Sequence, residues 1–396
     1  MRVIHEHDGS RTAESLAEAW AAPDTFAFAP RKSGVEHTWL DGAVGLLPEP
    51  LRRDHFGLLT SGTTGDAKLV IGARARAEAL TRVLHEAQDS APVEETIVML
   101  PLAYSYAFVN QWLWARVHGR RLVMTQGLRA PGEALVALER ARAAMLCLVP
   151  SQLPLLLAHC AERTFPGVIR LHLAGGRFPE EARLAALRRL FPRAVIYNNY
   201  GCAEAMPRLC LRRADTASSA RAGDVGLPIA GVSLSLSTGS ELSFRSSYRA
   251  VAQVDADGFR SFDDDEWVAT GDIAQQLGDG HWEIAGRANE VFKRYGEKVS
   301  VANVLAALGQ VFGGEIGHHR SKDRGGEAGY VIVLSPAPSA SEVAAALHTL
   351  RATFARSQWP LRIESIAAMP LLPNGKPDAR ALATGAGRTT HWDQRV

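Results

Sequence analysis

A segment rich in glycine and hydroxyl residues follows a short apolar run at residues 56–59. Its nine residues are Thr60-Ser61-Gly62-Thr63-Thr64-Gly65-Asp66-Ala67-Lys68. Glycines let backbone N–H groups converge, hydroxyls donate further hydrogen bonds and a lysine adds charge, so this segment is suited to hold a polyphosphate. It is not a Walker loop, because the spacing differs and no Ser or Thr follows Lys68. The other interpretation is an ordinary Ser/Thr/Gly turn.

Lysine is rare in this chain, since only six of its 44 Lys and Arg residues are lysines. Lysine supplies a compact point charge, whereas arginine supplies a planar fork of donors. Lys68 lies in the glycine-rich segment, and Lys376 ends a second turn-like segment, Pro373-Asn374-Gly375-Lys376. Lys68 can therefore add a compact charge to the glycine-rich segment. Lys293 and Lys298 are expected to tether the hinge between two domains or to lie on the surface.

The two lysine segments and three others resemble, in order, the signatures of the acyl-adenylating superfamily. This superfamily includes acyl-CoA synthetases, aryl-acid-activating enzymes and adenylation domains of peptide synthetases. The other segments are Ala174-Gly175-Gly176; Asn199-Tyr200-Gly201-Cys202-Ala203-Glu204; and Thr270-Gly271-Asp272 with Gly286-Arg287 and the residues up to Gly296. The resemblance covers residues 56–382, and five motifs in order make it specific. The family usually has many more residues before the glycine-rich segment, so the chain resembles an N-terminally shortened member.

The resemblance implies an ATP- and Mg²⁺-dependent enzyme that forms an acyl-adenylate and releases pyrophosphate. Lys376 would bridge the attacking carboxylate and the α-phosphate, Glu204 would help to hold Mg²⁺, and Lys68 would bind phosphate. The implied nucleotide-binding residues are Thr60, Ser61, Gly62, Thr63, Thr64 and Gly65 on the phosphates, Gly175, Gly176, Asn199, Tyr200 and Gly201 around the adenine, and Asp272 with Arg287 at the ribose. Such chemistry relies on positioning and electrostatics rather than on a protein nucleophile.

The resemblance also implies an acyl pocket and a thiol acceptor. The pocket residues would be Tyr104, Tyr106, Asn110, Ala174 and Gly175. The segment at 101–110 lacks the acidic residue that holds an α-ammonium group, so an aryl or a short to medium apolar acid is favoured over an amino acid. Asn289 would be the hinge of a rotating small domain, and Gly296 would flank the tunnel for the phosphopantetheine arm of CoA or of a carrier protein. His172, on a predicted strand, is expected to be a core histidine with its hydrogen bonds satisfied.

Some residues depart from the family pattern and keep two alternatives open. Ala203 stands where the family has a threonine, and Asn303 stands where a glutamate is common. The first alternative is a non-catalytic adenylate-binding or partner protein derived from this fold, and the second is a stand-alone amino-acid-activating enzyme. The presence of both Lys68 and Lys376 favours catalysis, because a binding relic would have little use for the second lysine.

The composition is that of a globular protein, with 46% hydrophobic and 22% charged residues. A formal net charge of +2 argues against nucleic acid or an anionic membrane as the main partner. There is no apolar run of membrane-spanning length and no apolar signal core, and the four cysteines form neither a disulfide framework nor a zinc spacing. We therefore expect a cytoplasmic enzyme, with a homodimer contact or a partner chain covering surface left by the shortened N-terminal region.

The elements that must position these residues follow an α/β pattern. Short apolar runs at 97–100, 145–149, 169–174 and 195–197 alternate with helices near 75–88, 132–143, 151–161 and 179–190. This alternation predicts a mainly parallel sheet covered by helices, preceded by a strand, glycine loop and helix from residue 56. After residue 222, period-two alternation around a Thr-Gly-Ser turn predicts a small antiparallel β unit.

The sequence from residue 289 onward predicts a small, mobile α+β domain with a helix at 301–311, a strand at 329–334, a helix at 342–354 and a polar tail. The expected domains are residues 1–288, which bind ATP and the acyl substrate, and residues 289–396, which carry Lys376.

Overall fold

The computed structural model describes residues 2–7, 10–31, 37–61, 67–160, 162–176, 178–179, 181–214, 223–288, 290–371, 377–385 and 387–394. The chain forms two compact units. The first comprises Met1–Ser235, Ser243–Val268 and Leu277–Trp282, and the second comprises Leu236–Leu242, Ala269–Gln276 and Glu283–Val396. Several predicted site residues lie outside the described residues, namely Gly62, Thr63, Thr64, Gly65, Asn289 and Lys376. The domain boundary at residue 288 stays a prediction.

The described α-helices are α1 (Ser10–Ala21), α2 (His37–Gly45), α3 (Arg74–Ala87), α4 (Ser105–Ala107), α5 (Trp114–Val117), α6 (Pro131–Arg140), α7 (Leu153–His159), α8 (Glu181–Leu190), α9 (Val301–Leu308), α10 (Ala340–Thr353) and α11 (Ala379–Thr384). A π-helical segment, Phe108–Leu113, joins α4 to α5. Short 3-10 turns are Glu49–Arg52, Gly127–Arg129, Pro150–Gln152, Ala203–Ala205 and Arg356–Gln358.

The strands are β1 (Arg2–His5), β2 (Phe26–Ala29), β3 (His55–Ser61), β4 (Ala67–Ala73), β5 (Glu95–Val98), β6 (Arg121–Met124), β7 (Ala144–Leu148), β8 (Val168–Ala174), β9 (Val195–Tyr200), β10 (Cys210–Arg213), β11 (Asp224–Pro228), β12 (Val232–Leu236), β13 (Glu241–Ser246), β14 (Ala252–Asp255), β15 (Gly258–Ser261), β16 (Val268–Gln276), β17 (Trp282–Arg287), β18 (Val291–Arg294), β19 (Glu297–Ser300), β20 (Glu315–Lys322), β21 (Ala328–Ser335), β22 (Arg362–Ser365) and β23 (Thr389–Asp393).

The predicted parallel sheet is confirmed in the first unit. Strands β6, β5, β7, β8 and β9 are neighbours in that order and run parallel, and β10 and β11 extend the sheet in antiparallel fashion. Alternate residues of each strand point to opposite faces. One face packs Leu146, Leu171 and Ile196 against α6, α7 and α8, whereas the other places Cys147 beside Trp114 of α5. The α/β fold class is therefore as predicted.

The glycine-rich segment joins two strands. The predicted strand before it and the predicted helix near 75–88 are confirmed, but β4 between the segment and that helix was not predicted. β3 and β4 pair as an antiparallel hairpin in which Thr60 lies opposite Lys68. β4 is rich in branched apolar residues, which favour strands, and α3 begins only after it. The hairpin is part of a six-stranded sheet in the order β1-β2-β3-β4-β14-β15. The hairpin therefore fixes both ends of the glycine-rich segment.

The second unit contains a four-stranded sheet in the order β20-β21-β22-β23, covered by α9 and α10. Its core includes Val304 and Leu308 of α9, Leu350 of α10 and Ile332 of β21. Ser339 caps α10 by accepting a hydrogen bond from the Glu342 N–H. The predicted helices and strand here are confirmed, and the polar tail additionally forms a strand, since β23 pairs with β22. Among the described helices, none is both long and apolar enough to cross a membrane.

Candidate active site

An ion pair joins the glycine-rich hairpin to the turn after β9. Lys68 lies near the start of β4, and Glu204 lies in the 3-10 turn Ala203–Ala205. The Lys68 Nζ atom is 3.0 Å from Glu204 Oε1, and both side chains are largely buried, at 25% and 20% exposure. The Glu204 backbone oxygen also accepts a hydrogen bond from the Ala250 N–H, which fixes the turn. Two sequence-predicted residues that are far apart in the chain are therefore in direct contact.

The charge state of Glu204 depends on this contact. Burial alone would raise the pKa of the Glu204 carboxyl, but the Lys68 ammonium and hydrogen bonds from Lys68, Cys202 and the backbone outweigh burial and lower the pKa. Glu204 is therefore a carboxylate throughout the neutral pH range. Thr60 Oγ1, at the other end of the glycine-rich segment, donates a 3.4 Å hydrogen bond to the Lys68 carbonyl oxygen. The side chains of residues 61–66 lie outside the described part of the structure.

The segment that joins β9 to Glu204 includes the predicted adenine-side residues. Tyr200 ends β9, is half-buried and pairs in register with Cys210 of β10. Gly201 follows Tyr200, and its backbone lies very close to the backbone of Pro207. A Cβ atom at position 201 would lie 1.8 Å from the Pro207 carbonyl oxygen. Only glycine fits this position without movement of the backbone. Gly175 and Gly176 are exposed and directly follow β8.

The structure brings most of the predicted acyl-pocket residues together. The Asn199 Nδ2 atom donates a 2.8 Å hydrogen bond to the Tyr106 hydroxyl, and Asn199 pairs in register with Ala174 of β8. The Asn110 Nδ2 atom donates a 2.9 Å hydrogen bond to the Tyr106 carbonyl oxygen. Tyr104 lies at the start of α4, where burial and the nearby Glu6 charge raise the pKa of its phenol. These contacts place α4 and the π-helical segment over β8 and β9.

Two residues of this cluster were missed or misjudged from the sequence. Arg208 is 1% exposed, and its Nη1 atom donates a 2.7 Å hydrogen bond to Asn110 Oδ1. The sequence signal was a lone arginine in an apolar stretch shortly after Glu204. His172 is buried, as expected. No described group pairs with its ring nitrogens in good hydrogen-bond geometry, although the Asn199 side chain is close enough to raise the pKa of the ring against burial. The described residues therefore do not give His172 the well-formed hydrogen bonds expected of a core histidine.

The predicted ribose-binding pair lies in the second unit. The Arg287 Nε atom is 3.1 Å from Asp272 Oδ1, and Arg287 Nη1 donates a 3.0 Å hydrogen bond to the Thr270 carbonyl oxygen. The Asp272 N–H donates to Thr270 Oγ1, and that hydroxyl donates to the Leu242 carbonyl oxygen. Asp272 is 6% exposed. Thr270 of β16 and Arg287 at the end of β17 thus hold the Asp272 carboxylate in a fixed orientation.

Gly296 lies at the tip of a hairpin in the second unit. β18 and β19 pair so that Arg294 lies opposite Glu297, leaving a two-residue turn of Tyr295 and Gly296. Both turn residues have positive φ angles, 50° and 82°, as a type I′ turn requires. The positive φ angle that this turn requires is enough to account for a glycine at position 296. The segment that contains Lys376 is outside the described residues, and its ends meet in a bridge between Leu371 and Pro377.

A family model described as "AMP-binding enzyme" matches residues 14–242, more than half of the chain. The chain belongs to the AMP-binding enzymes. The match includes the glycine-rich hairpin, the turn with Glu204 and the acyl-pocket cluster.

Two curated proteins to which this AMP-binding enzyme is similar are a non-ribosomal peptide synthetase and a CoA ligase. It is 24% identical to the non-ribosomal peptide synthetase CmlP of Streptomyces venezuelae over an alignment of 367 residues that covers 86% of this chain and 35% of the relative. It is 27% identical to the 2-hydroxy-7-methoxy-5-methyl-1-naphthoate–CoA ligase of Streptomyces carzinostaticus over an alignment of 357 residues that covers 83% of this chain and 62% of the relative. The chain therefore spans less than two thirds of either relative.

Solved structures share the fold. The o-succinylbenzoate CoA synthetase MenE of Bacillus subtilis, in complex with the acyl-adenylate intermediate OSB-AMP, has a TM-score of 0.77 at 15% identity, covering 99% of this chain and 89% of the synthetase. The same synthetase in complex with ATP and a magnesium ion has a TM-score of 0.72 at 16% identity, covering 96% of this chain and 88% of the other.

The residues of this AMP-binding enzyme fit a magnesium ion that arrives with a nucleotide. Among the described residues no group of three or more His, Cys, Asp and Glu side chains is arranged to hold a metal ion alone. Mg²⁺ is usually bound by one or two carboxylates, water and substrate phosphates, so a single carboxylate beside a phosphate-binding segment suffices. Glu204 has the chemistry of such a carboxylate, because the Lys68 ammonium holds its pKa below the ordinary value.

Proposed function

We propose that this AMP-binding enzyme is an ATP-dependent, AMP-forming acid–thiol ligase. It would activate a small carboxylic acid, aryl or short to medium in length, as an acyl-adenylate and then pass the acyl group to a phosphopantetheine thiol. The observation that carries the proposal is the 3.0 Å contact between Lys68 and Glu204. It unites a lysine beside the glycine-rich segment with a carboxylate suited to Mg²⁺, in the same unit as the acyl-pocket cluster.

Two groups of residues would bind the nucleotide. In this proposal Thr60, Ser61, Lys68 and the segment at 62–66 bind the β- and γ-phosphates, and Tyr200 stacks on the adenine. Asp272, oriented by Arg287, accepts hydrogen bonds from the ribose hydroxyls. A buried carboxylate that is already oriented binds hydroxyl donors more strongly than a neutral acceptor does.

The first half-reaction needs a nucleophilic carboxylate of the substrate and a stabilised pyrophosphate leaving group. A carboxylate oxygen of the acid forms a bond to the α-phosphorus, and the bond from that phosphorus to the bridging oxygen of pyrophosphate breaks with its electron pair. Bound Mg²⁺ would supply positive charge to the phosphate oxygens. Lys68 offsets charge on the leaving phosphates, and Lys376 stabilises the charge that spreads between the carboxylate and the α-phosphate.

The second half-reaction transfers the acyl group. A thiolate forms a bond to the acyl carbon, the acyl–oxygen bond breaks, and AMP leaves with the oxygen that came from the acid. The acceptor in this proposal is CoA or the phosphopantetheine arm of a carrier protein. CoA ligases and a peptide synthetase are both among the relatives, so both acceptors belong in the assay.

A pyrophosphate-exchange screen tests the proposal. The full chain is incubated with ATP, Mg²⁺, labelled pyrophosphate and a panel of aryl, aliphatic and amino acids, and label in ATP is counted. Acid-dependent exchange is expected for at least one carboxylic acid, and its identity separates acid from amino-acid activation. Tight ATP binding without exchange for any acid would favour a non-catalytic adenylate-binding protein instead.

A further inference from the structure

Arg208 is a buried cation with no counter-ion among the described residues. Its side chain is 1% exposed, and none of the described carboxylates pairs with it. Its hydrogen bonds go to amides: Nη1 donates to Asn110 Oδ1, and the Gln88 amide oxygen, oriented to accept, lies 3.0 Å from Nη1 and 2.8 Å from Nη2. A buried charge without an opposite charge is costly, so a protein rarely keeps one without a purpose.

The groups that surround Arg208 are neutral. Burial raises the pKa of the Cys147 thiol to about 12 and also raises that of the Tyr106 phenol, so neither group ionises near neutral pH. Burial lowers the pKa of Arg208 itself to about 10, which still leaves the guanidinium charged. Burial and the Arg208 charge lower the pKa of His172 well below its usual value, so its ring is neutral. The cluster therefore has a net charge of one positive unit.

The same cluster has polar atoms that no described residue satisfies. They are Arg208 Nε, which has no partner, and the ring nitrogens of His172 with Asn199 Oδ1, which interact with each other without good hydrogen-bond geometry. All three side chains are more than nine-tenths buried. His172 and Asn199 lie on the sheet face that α4 and the π-helical segment cover, since His172 pairs in register with Cys147 and Asn199 with Ala174. Buried polar groups normally have partners, so the two unpaired donors here, Arg208 Nε and the single N–H of neutral His172, suit an anionic ligand.

These atoms lie next to two residues that the sequence predicts for the acyl pocket, Asn110 and Tyr106. Asn110 accepts from Arg208, and Asn199 donates to Tyr106. Tyr106 is half-buried, which leaves part of its surface open. Phe108, in contrast, points into an aromatic core where its ring centroid is 5.2 Å from that of Phe56 and 5.0 Å from that of Trp112. The side chains on the pocket side are thus more polar than the aromatic sequence pattern indicated.

We infer that the acid activated here carries a second anionic oxygen group besides its reacting carboxylate, and that Arg208 binds this group within the acyl pocket. The inference rests on the proposed function and specifies its substrate class as dicarboxylic or comparably dianionic acids. Arg208 selects the substrate by charge, and neutral His172 donates a ring N–H to the same group. An apolar acid of the same shape leaves the guanidinium buried and uncompensated.

Matched pairs of acids test the inference with the wild-type chain. In each pair an isopropyl group replaces the second carboxylate: terephthalate with 4-isopropylbenzoate, isophthalate with 3-isopropylbenzoate, and succinate with 4-methylpentanoate. Pyrophosphate exchange measures kcat/KM, and calorimetry without ATP measures binding of the same acids. We expect at least one dianionic acid to exceed its partner by about tenfold to a hundredfold, since a charged hydrogen-bonding pair is gained.

Substitutions at Arg208 then assign the preference to this residue. Arg208→Met should remove or reverse the preference, and Arg208→Lys should retain part of it. The matched control is Arg249→Met, because Arg249 is also 1% exposed in the first unit but donates to the Glu266 carbonyl oxygen. This control should keep the wild-type preference whatever it does to the melting temperature.

The outcomes separate this inference from the proposed function. A preference for the apolar members, no binding of any dianionic acid, or an unchanged preference in folded Arg208→Met would overturn the inference while exchange with other acids upheld the ligase. Binding of a dianionic acid that depends on Arg208, without any exchange, would uphold the inference and reject the ligase. If Arg208→Met does not fold, Arg208→Lys and the wild-type preference decide.

Discussion

Lys68 and Glu204 meet at 3.0 Å although 136 residues separate them in the chain. The pairing places the lysine of the glycine-rich hairpin beside a carboxylate. In water such a pair would contribute little, but both side chains are mostly buried here, and the Lys68 ammonium lowers the pKa of the Glu204 carboxyl. In the proposed function, Lys68 would bind phosphate and Glu204 would help to hold Mg²⁺.

Replacing Glu204 with glutamine should raise the Mg²⁺ concentration needed for half-maximal pyrophosphate exchange and should lower turnover. The amide keeps the shape but loses the charge that attracts the ion and balances Lys68. Glu139→Gln is a suitable control, because Glu139 of α6 forms an exposed 2.5 Å pair with Arg163 and neither residue is a candidate site residue. A Mg²⁺ dependence that is the same in wild type and Glu204→Gln would show that Glu204 does not serve the ion.

Replacing Asp272 with alanine should weaken ATP binding by roughly 2–4 kcal/mol, because the ribose hydroxyls lose a charged acceptor. Titration calorimetry measures this directly. Asp264→Ala is the control, since Asp264 also pairs with an arginine, Arg76, but is exposed at the surface. Equal ATP affinity in wild type and a folded Asp272→Ala protein would contradict the ribose assignment.

Replacing Lys376 with alanine should slow adenylation by on the order of 10², because a charged contact to the reacting groups is lost. Transfer of the acyl group from a supplied acyl-adenylate should be largely spared. Both half-reactions are measured separately, with Lys322→Ala as the control, since Lys322 is an exposed lysine at the end of β20. Near-normal pyrophosphate exchange in Lys376→Ala would remove Lys376 from the catalytic set.

The role of Gly296 is separable from its turn. Asparagine tolerates positive φ angles, so Gly296→Asn should retain the hairpin, whereas Gly296→Leu should lose about 1–2 kcal/mol of stability. If Gly296 flanks a tunnel for the thiol arm, Gly296→Asn should keep pyrophosphate exchange and lose acyl transfer. Gly326→Asn, at another glycine with a φ of 84° and open space around it, is the control. Wild-type transfer in Gly296→Asn would leave only the turn to explain the glycine.

Much of the fold follows from periodicity. The runs that became β7, β8 and β9 are apolar and short, and the helices between them alternate with them, so the parallel sheet was predictable. β1 and β2 were not, because strands of four residues such as Phe26–Ala29 have too little pattern of their own and form only by pairing with β3. β23 escaped prediction for the same reason, since Thr389–Asp393 is polar and is held by β22.

The candidate site was predictable where a motif is local in the chain and not where it depends on sheet pairing. The glycine-rich segment, Glu204 and Asp272 stand out by residue type and spacing. Arg208 and His172 do not, because their environment comes from strands that are distant in sequence: His172 lies between Cys147 of β7 and Tyr197 of β9. Only the folded sheet shows that a histidine, an asparagine and an arginine share one buried cluster.

The oxygen that links acid to nucleotide gives the most direct test of the central claim. An acid accepted in the exchange screen is prepared with ¹⁸O in its reacting carboxylate and turned over with ATP, Mg²⁺ and a thiol acceptor, and the nucleotide products are analysed by mass spectrometry. Attack of the carboxylate on the α-phosphorus predicts one ¹⁸O atom in AMP and none in pyrophosphate. Label in inorganic phosphate with release of ADP, or unlabelled AMP, would contradict an acyl-adenylate.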